Sequence, residues 1–207
     1  MGLSHLHDSR LAKTIEYYQV NAASYAEQTQ DVDMQQAYDA FLLLLPNGGT
    51  ILDIGCGSGR DLKYFKDRGY DTQAIEPAPA LAEIARERSG ALVREILVED
   101  LTAEKTYDGI WACASLLHIP RCMLPSVINR LINALKPGGV LYMCFKKGVT
   151  DHVVQDGRLF NDQTCKTLSD LVSTLNNAII IRCWESKDLI ARHETVLWTN
   201  MLVQRDA

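Results

Sequence analysis

The stretch Ile51-Leu52-Asp53-Ile54-Gly55-Cys56-Gly57-Ser58-Gly59-Arg60-Asp61 constrains the fold more than any other part of the chain. A short apolar run, bounded on its N-terminal side by the breakers Pro46, Gly48 and Gly49, predicts a buried strand, and Asp61-Leu62-Lys63-Tyr64-Phe65 resumes at helical spacing. Between them, glycines at alternate positions let the backbone turn sharply and leave no Cβ between it and a ligand. The following helix presents unpaired N–H groups to partial negative charge. Strand, glycine loop and helix in this order predict a cradle for a polar cofactor at the edge of a parallel sheet. A tight turn with no ligand is the alternative for the loop taken alone.

Beyond the loop the strand–helix alternation repeats. Gly69 suits the end of the first helix, 71–75 reads as a second strand, and Glu76 stands at its C-terminal end with Pro77 and Pro79 opening a helix over 79–88. A third strand is expected over 92–98, followed by Glu99, Asp100 and Leu101. A central, doubly buried strand is expected over 107–114, leading into Ser115-Leu116-Leu117-His118-Ile119-Pro120. Pro120 is placed in the first turn of a helix whose stripe Leu124, Val127, Ile128, Leu131, Ile132 and Leu135 is core. Lys136-Pro137-Gly138-Gly139 ends it ahead of a strand over 140–145. Helical spacing also covers the region from Leu11 to Leu45, with Asp33 as a cap. Periodicity is lost over 146–161, which reads as a substrate-contacting flap. A helix over 164–176 and two strands over 178–184 and 195–203 close the chain.

The loop is G-x-G-x-G with an acid two residues before its first glycine, not the G-x-G-x-x-G of dinucleotide binders, which disfavours a nicotinamide-dependent dehydrogenase. In this form, with Glu76, Asp100, the Leu-Leu-His turn and Leu-Lys-Pro-Gly-Gly in register, it resembles the class I S-adenosylmethionine-dependent methyltransferases. It is similar to the small bacterial enzymes of the tellurite-resistance and small-molecule type. The resemblance covers about 17–145 well and the last third loosely. It implies a Rossmann-like, doubly wound α/β fold with seven strands, mostly parallel with an antiparallel C-terminal hairpin, and helices on both faces. One domain over 1–207 is expected, with 1–46 as a helical cover and 47–207 as the core.

The resemblance also implies the site. S-adenosylmethionine, leaving as S-adenosylhomocysteine, would lie against Asp53, Gly55, Cys56, Gly57, Gly59 and Arg60. Its ribose would meet Glu76 beside Pro77, and its adenine would meet Asp100 and Leu101, with Glu99 the alternative acid. Ala112, Cys113 and Ser115 would flank the methionine portion and Tyr25 would cover it. Tyr18, His118, Lys146 and Arg158 are the candidate acceptor-binding residues. His118 is the candidate catalytic base, needed only where an O–H or N–H must lose its proton. In the tail, Arg192 stands near the place where some relatives carry an arginine. No metal is expected.

Net charge −5, from 21 Lys and Arg against 26 Asp and Glu, argues against a general nucleic-acid surface but not against a local basic groove. The six cysteines form no ligand-like cluster and read as reduced thiols of a cytoplasmic protein. No run of about 20 apolar residues suggests a membrane span. The expected function is methyl transfer to a small-molecule O, N, S or chalcogen nucleophile. The alternatives are RNA or protein methylation and a non-catalytic S-adenosylmethionine-binding module.

Overall fold

From residue 50 to residue 146 successive strands are joined by helices, or between 94 and 107 by a one-turn 3₁₀ helix, so they run the same way with each crossover returning the chain across a sheet face. The computed structural model describes residues 9–189 and 196–206. Three N-terminal helices, α1 (Ser9–Val20), α2 (Ala22–Thr29) and α3 (Gln35–Leu42), precede β1 (Thr50–Ile54), α4 (Arg60–Asp67), β2 (Asp71–Ile75), α5 (Pro79–Ser89) and β3 (Leu92–Arg94). Then follow β4 (Tyr107–Ala112), α6 (Leu124–Ala134) and β5 (Leu135–Lys146). A small hairpin of β6 (Asp151–Val153) and β7 (Leu159–Asn161) comes next, then α7 (Cys165–Val172), β8 (Ala178–Lys187) and β9 (Leu197–Arg205).

The seven-stranded sheet has the order β3-β2-β1-β4-β5-β9-β8. Its first five members are parallel, and β9 runs antiparallel to both β5 and β8. The expected doubly wound sheet with an antiparallel C-terminal pair is therefore observed. Chain order reverses direction between β1 and β4, and in such sheets ligands bind in the crevice beyond the strand C-termini at that point.

Alternation along the central strands feeds two cores. Leu52, Ile54, Ile110, Ala112, Leu141 and Met143 face α6 and α7, while Ile51, Trp111, Val140 and Tyr142 face α3 and α4 through Tyr38, Phe41 and Phe65. Trp111 stacks on Tyr142 at 4.0 Å between ring centroids. At roughly 1.5–3 kcal/mol per buried large apolar side chain, these layers supply most of what holds the sheet. Helices α1 and α2 pack through Ala22, Ile15, Tyr18 and Tyr25 onto Leu81 of α5, so they lie over the crevice end of the sheet.

Several boundaries differ from expectation. Helix α6 starts at Leu124 with a proline in its first turn, but that residue is Pro125; Pro120 lies in the preceding turn, where its carbonyl accepts from Met123 N–H. β3 stops at Arg94, because the chain bends into a one-turn 3₁₀ helix over Val98–Asp100. The segment 146–161 is not an irregular flap at its base. Leu159, Phe160 and Asn161 are buried; Leu159 N–H donates to Thr14 of α1, and the Asn161 side chain donates to the Ile119 carbonyl. The expectation of six reduced thiols is also corrected: Cys165 and Cys183 form a disulfide between α7 and β8, and four cysteines remain free. Arg192 lies outside the described residues. Among those described, no helix is long and apolar enough to cross a membrane.

Candidate active site

The glycine loop turns from the end of β1 into α4 with Gly55 and Gly57 in the left-handed region, at φ of +62° and +55°. Neither position has room for a side chain. A Cβ on Gly55 would come 2.7 Å from Ser115 Cβ, and one on Gly57 would come 3.1 Å from the Tyr25 ring. The loop is thus wedged between the end of β4 and α2. Beside it, Glu76 directly follows β2 and is 5% exposed. Its carboxylate accepts from Gly57 N–H and from Ala78 N–H, both at 2.9 Å. Burial pushes its pKa up to about 7, against the pull of these two donors. Glu76 therefore braces the loop from below while bordering the crevice.

Asp53 is 2% exposed, and its Oδ2 is buried without a hydrogen-bond partner. Burial, then the nearby Asp61, push its carboxyl well above the ordinary range, while Arg60 opposes them. Ser115 Oγ is likewise buried without a partner, at the crevice wall. Unpaired buried polar atoms are costly, so the Ser115 hydroxyl at the crevice wall is suited to a hydrogen bond with a polar ligand there.

The crevice runs from the glycine loop and Glu76 to Ser115 and His118. Tyr18, Tyr25, Gly55, Gly57, Glu76, Pro77, Ser115 and His118 line it. Glu99 lines it and Asp100 does not, so of the two acids considered for the adenine end the structure puts Glu99 at the wall. Leu101 is packed in the core, with its carbonyl held by Arg130, and Ala112 is fully buried. Asp53, Cys56 and Gly59 shape the loop without lining the crevice.

A second, larger cavity adjoins the first, and the two share Tyr18, Tyr25, Ala114 and His118. Arg60, Cys113, Lys146 and Arg158 line this second space. Its floor is one face of β5 and β9. Tyr142, Cys144 and Lys146 alternate along β5, and register places Asn200 beside Cys144 and Trp198 beside Lys146. Tyr142 donates its hydroxyl hydrogen to Asn200 at 2.8 Å.

At the junction stands His118, 8% exposed. Its Nδ1 lies 2.6 Å from the Leu159 carbonyl, which only accepts, so Nδ1 carries the proton and Nε2 accepts from the Tyr18 hydroxyl at 2.8 Å. Burial, with Arg158 and Lys146 adding to it, pulls its pKa down to about 4 against the Leu159 bond. His118 is a neutral acceptor near pH 7, and Tyr18 occupies the atom that would take a proton.

Sequence reasoning passed over Asp61, read only as a helix start. Its side chain accepts from Arg60 Nε, the Tyr38 hydroxyl and Trp111 Nε1 at 2.5, 2.5 and 2.8 Å, joining α3, α4 and β4. Arg60 also donates to the Thr29 carbonyl at the end of α2, which carries Tyr25. Asn200 and Trp198 were also missed, whereas Phe160 lies in the segment read as a substrate-contacting flap. A polar residue in an otherwise apolar terminal strand, as Asn200 is, was the available signal.

A family model described as a methyltransferase domain matches residues 25–160. The chain belongs to that family, which places it among the S-adenosylmethionine-dependent methyltransferases of class I. It is 36% identical over 107 residues to the ubiquinone biosynthesis O-methyltransferase of Xanthomonas axonopodis pv. citri, covering 48% of this chain and 44% of that one. It is 32% identical over 127 residues to the malonyl-[acyl-carrier protein] O-methyltransferase of Salmonella typhimurium, covering 58% and 48%. The chain thus matches about half the length of these curated relatives. Among solved structures, a Burkholderia thailandensis 1,6-didemethyltoxoflavin-N1-methyltransferase with bound 1,6-didemethyltoxoflavin and S-adenosylhomocysteine superposes with a TM-score of 0.83 at 18% identity. That match covers 100% of this chain and 93% of the other, a likeness of fold.

Proposed function

We propose that this protein transfers a methyl group from S-adenosylmethionine to a small-molecule O, N, S or chalcogen nucleophile by in-line displacement. The observation that carries this reading is the pair of adjoining cavities sharing Tyr18, Tyr25, Ala114 and His118: one cradled by the glycine loop and Glu76, the other walled by aromatic and cationic side chains.

When bound, the cofactor supplies a methyl group activated by a positively charged sulfur. Glu76 and Glu99 are the residues suited to the ribose and adenine ends, Ser115 offers a hydroxyl toward the methionine end, and Tyr25 covers the loop. The chain's own contribution is orientation and exclusion of water, which can be worth ~7–11 kcal/mol. His118 and Tyr18 border the place where the two cavities meet. The His118 nitrogen that faces Tyr18 takes a proton from an O–H or N–H acceptor, directly once Tyr18 turns aside or through its hydroxyl.

The experiment is transfer of labelled methyl groups into a metabolite extract, with the RNA and protein fractions run separately. Label in the low-molecular-mass fraction is expected. Label confined to RNA or protein would replace this reading with the macromolecular one. Tight cofactor binding with no label in any fraction would replace it with a binding module.

A further inference from the structure

The second cavity has a sign of charge that the rest of the chain does not share. The protein carries net charge −5, yet the charged residues lining this cavity are Arg60, Lys146, Arg158 and Lys187 against Asp188 alone. Their partners divide them further. Arg60 is neutralised by Asp61, and Asp188 accepts from Trp198 Nε1. Arg158 is ion-paired with Asp156 through three side-chain hydrogen bonds, while its guanidinium lies 4.0 Å over the Tyr17 ring and 5.4 Å from that of Phe160.

Lys146 has no ion-pair partner among the described residues. Its ammonium stands 4.0 Å over the other available partner, the Phe160 ring, and burial followed by the field of Arg158 pulls its pKa down. Asp162, Asp188 and Asp156 act on this half-buried ammonium through space without outweighing burial and Arg158, so it remains short of negative charge. Phe160 in turn lies edge-on to His118 at 4.9 Å, so the cationic pair is one ring away from the junction of the two cavities.

We propose, resting on the methyl-transfer reading above, that the acceptor is a planar aromatic small molecule bearing an anionic group. The anionic group is held by Lys146 and Arg158. The ring lies among Tyr17, Phe160 and Trp198, and the nucleophilic atom points back toward Tyr18 and His118. Aromatic walls recognise a flat ring through stacked and edge contacts. Two cations converging on one end fix which end of the ring enters first. The same positive field favours ionisation of an acceptor O–H or N–H, which a neutral His118 can then serve without itself being strongly basic.

The test uses the whole chain loaded with S-adenosylhomocysteine, titrated calorimetrically with 4-hydroxybenzoate, its neutral isostere 4-hydroxybenzamide and the non-aromatic anion cyclohexanecarboxylate. A second pair, 6-hydroxy-2-naphthoate and its carboxamide, covers a larger ring. In at least one pair the carboxylate is expected to bind roughly tenfold or more tightly than its amide and more tightly than cyclohexanecarboxylate. Lys146→Met and Arg158→Met should each erase most of that preference with S-adenosylhomocysteine affinity unchanged, which also certifies their folding. Equal binding of acid and amide in both pairs, or a preference that survives both substitutions, overturns the proposal while leaving cofactor binding intact. Failure of the wild-type chain to take up S-adenosylhomocysteine overturns the methyl-transfer reading and this proposal with it.

Discussion

Replacing Asp61 with Asn should damage the protein more than any surface charge change, and the magnitude comes from its partners. Burial alone would raise the Asp61 carboxyl, but Arg60, Tyr38 and Trp111 outweigh it and hold it below the ordinary carboxylate value. Asn keeps the shape and one acceptor, but it turns an N–H toward groups that are themselves donors, and it leaves the Arg60 guanidinium without its counter-charge. Removing one member of a buried charge pair costs about 3–5 kcal/mol. A chain of 207 residues has an unfolding entropy near ~0.4 kcal/mol/K at the midpoint, so Tm should fall by roughly 7–12 °C. Thermal unfolding followed by far-UV circular dichroism measures this. Tyr38→Phe, which removes one of the three donors, should lower Tm by less than half as much, and the double variant should fall short of the sum because both act on one network. A D61N protein within ~1 kcal/mol of wild type would refute the view that Asp61 ties α3, α4 and β4 together.

Two buried groups should give opposing pH dependences of stability. Glu76 is raised from an ordinary 4.5 to about 7, so its contribution is fully present below 4.5 and is lost as pH rises through 7. His118 is lowered from 6.5 to about 4, so its contribution is present above 6.5 and is lost as pH falls through 4. Each is worth up to ~3 kcal/mol over its window, and the windows overlap, so the two nearly cancel in the wild type. Chemical denaturation at pH 5 and pH 7 should show Glu76→Gln losing stability on acidification and His118→Asn gaining it. Parallel behaviour of the two variants would contradict the assigned burial. Gly57→Ala should cost ~1–2 kcal/mol for its left-handed backbone, with a further loss from the Tyr25 contact that Tyr25→Ala in the same chain relieves. An equal cost of Gly57→Ala in the wild-type and Tyr25→Ala backgrounds would show that the loop and α2 are not in contact.

Much of the fold was legible because its signals are local. The breakers before Thr50, the glycine loop, the acid after Ile75 and the apolar stripe of α6 each arise from spacing within one element. Boundaries were less legible where two signals competed. Pro120 and Pro125 both suit a helix start, and only packing of the Leu116–His118 turn decides between them. The hairpin β6–β7 gave no periodic signal because its strands are three residues long, and what orders β7 is non-local: Thr14, His118 and Ile119 bond to it. The candidate site divides the same way. Glu76 and the loop glycines stand at fixed distances in sequence. The partners of His118 come from α1 and β7, and Asn200 reaches the second cavity only through antiparallel register with β5. The Cys165–Cys183 disulfide joins elements 18 residues apart with no motif around either cysteine.

The most direct measurement is calorimetric titration of S-adenosylhomocysteine into the wild-type chain and into Glu76→Gln. One molecule should bind per chain, and the glutamine variant, with its fold verified by circular dichroism, should bind at least ~10-fold more weakly because it loses a charged acceptor at the crevice wall. No uptake by the wild type, or equal affinity in the two proteins, would contradict the placement of the nucleoside against the end of β2.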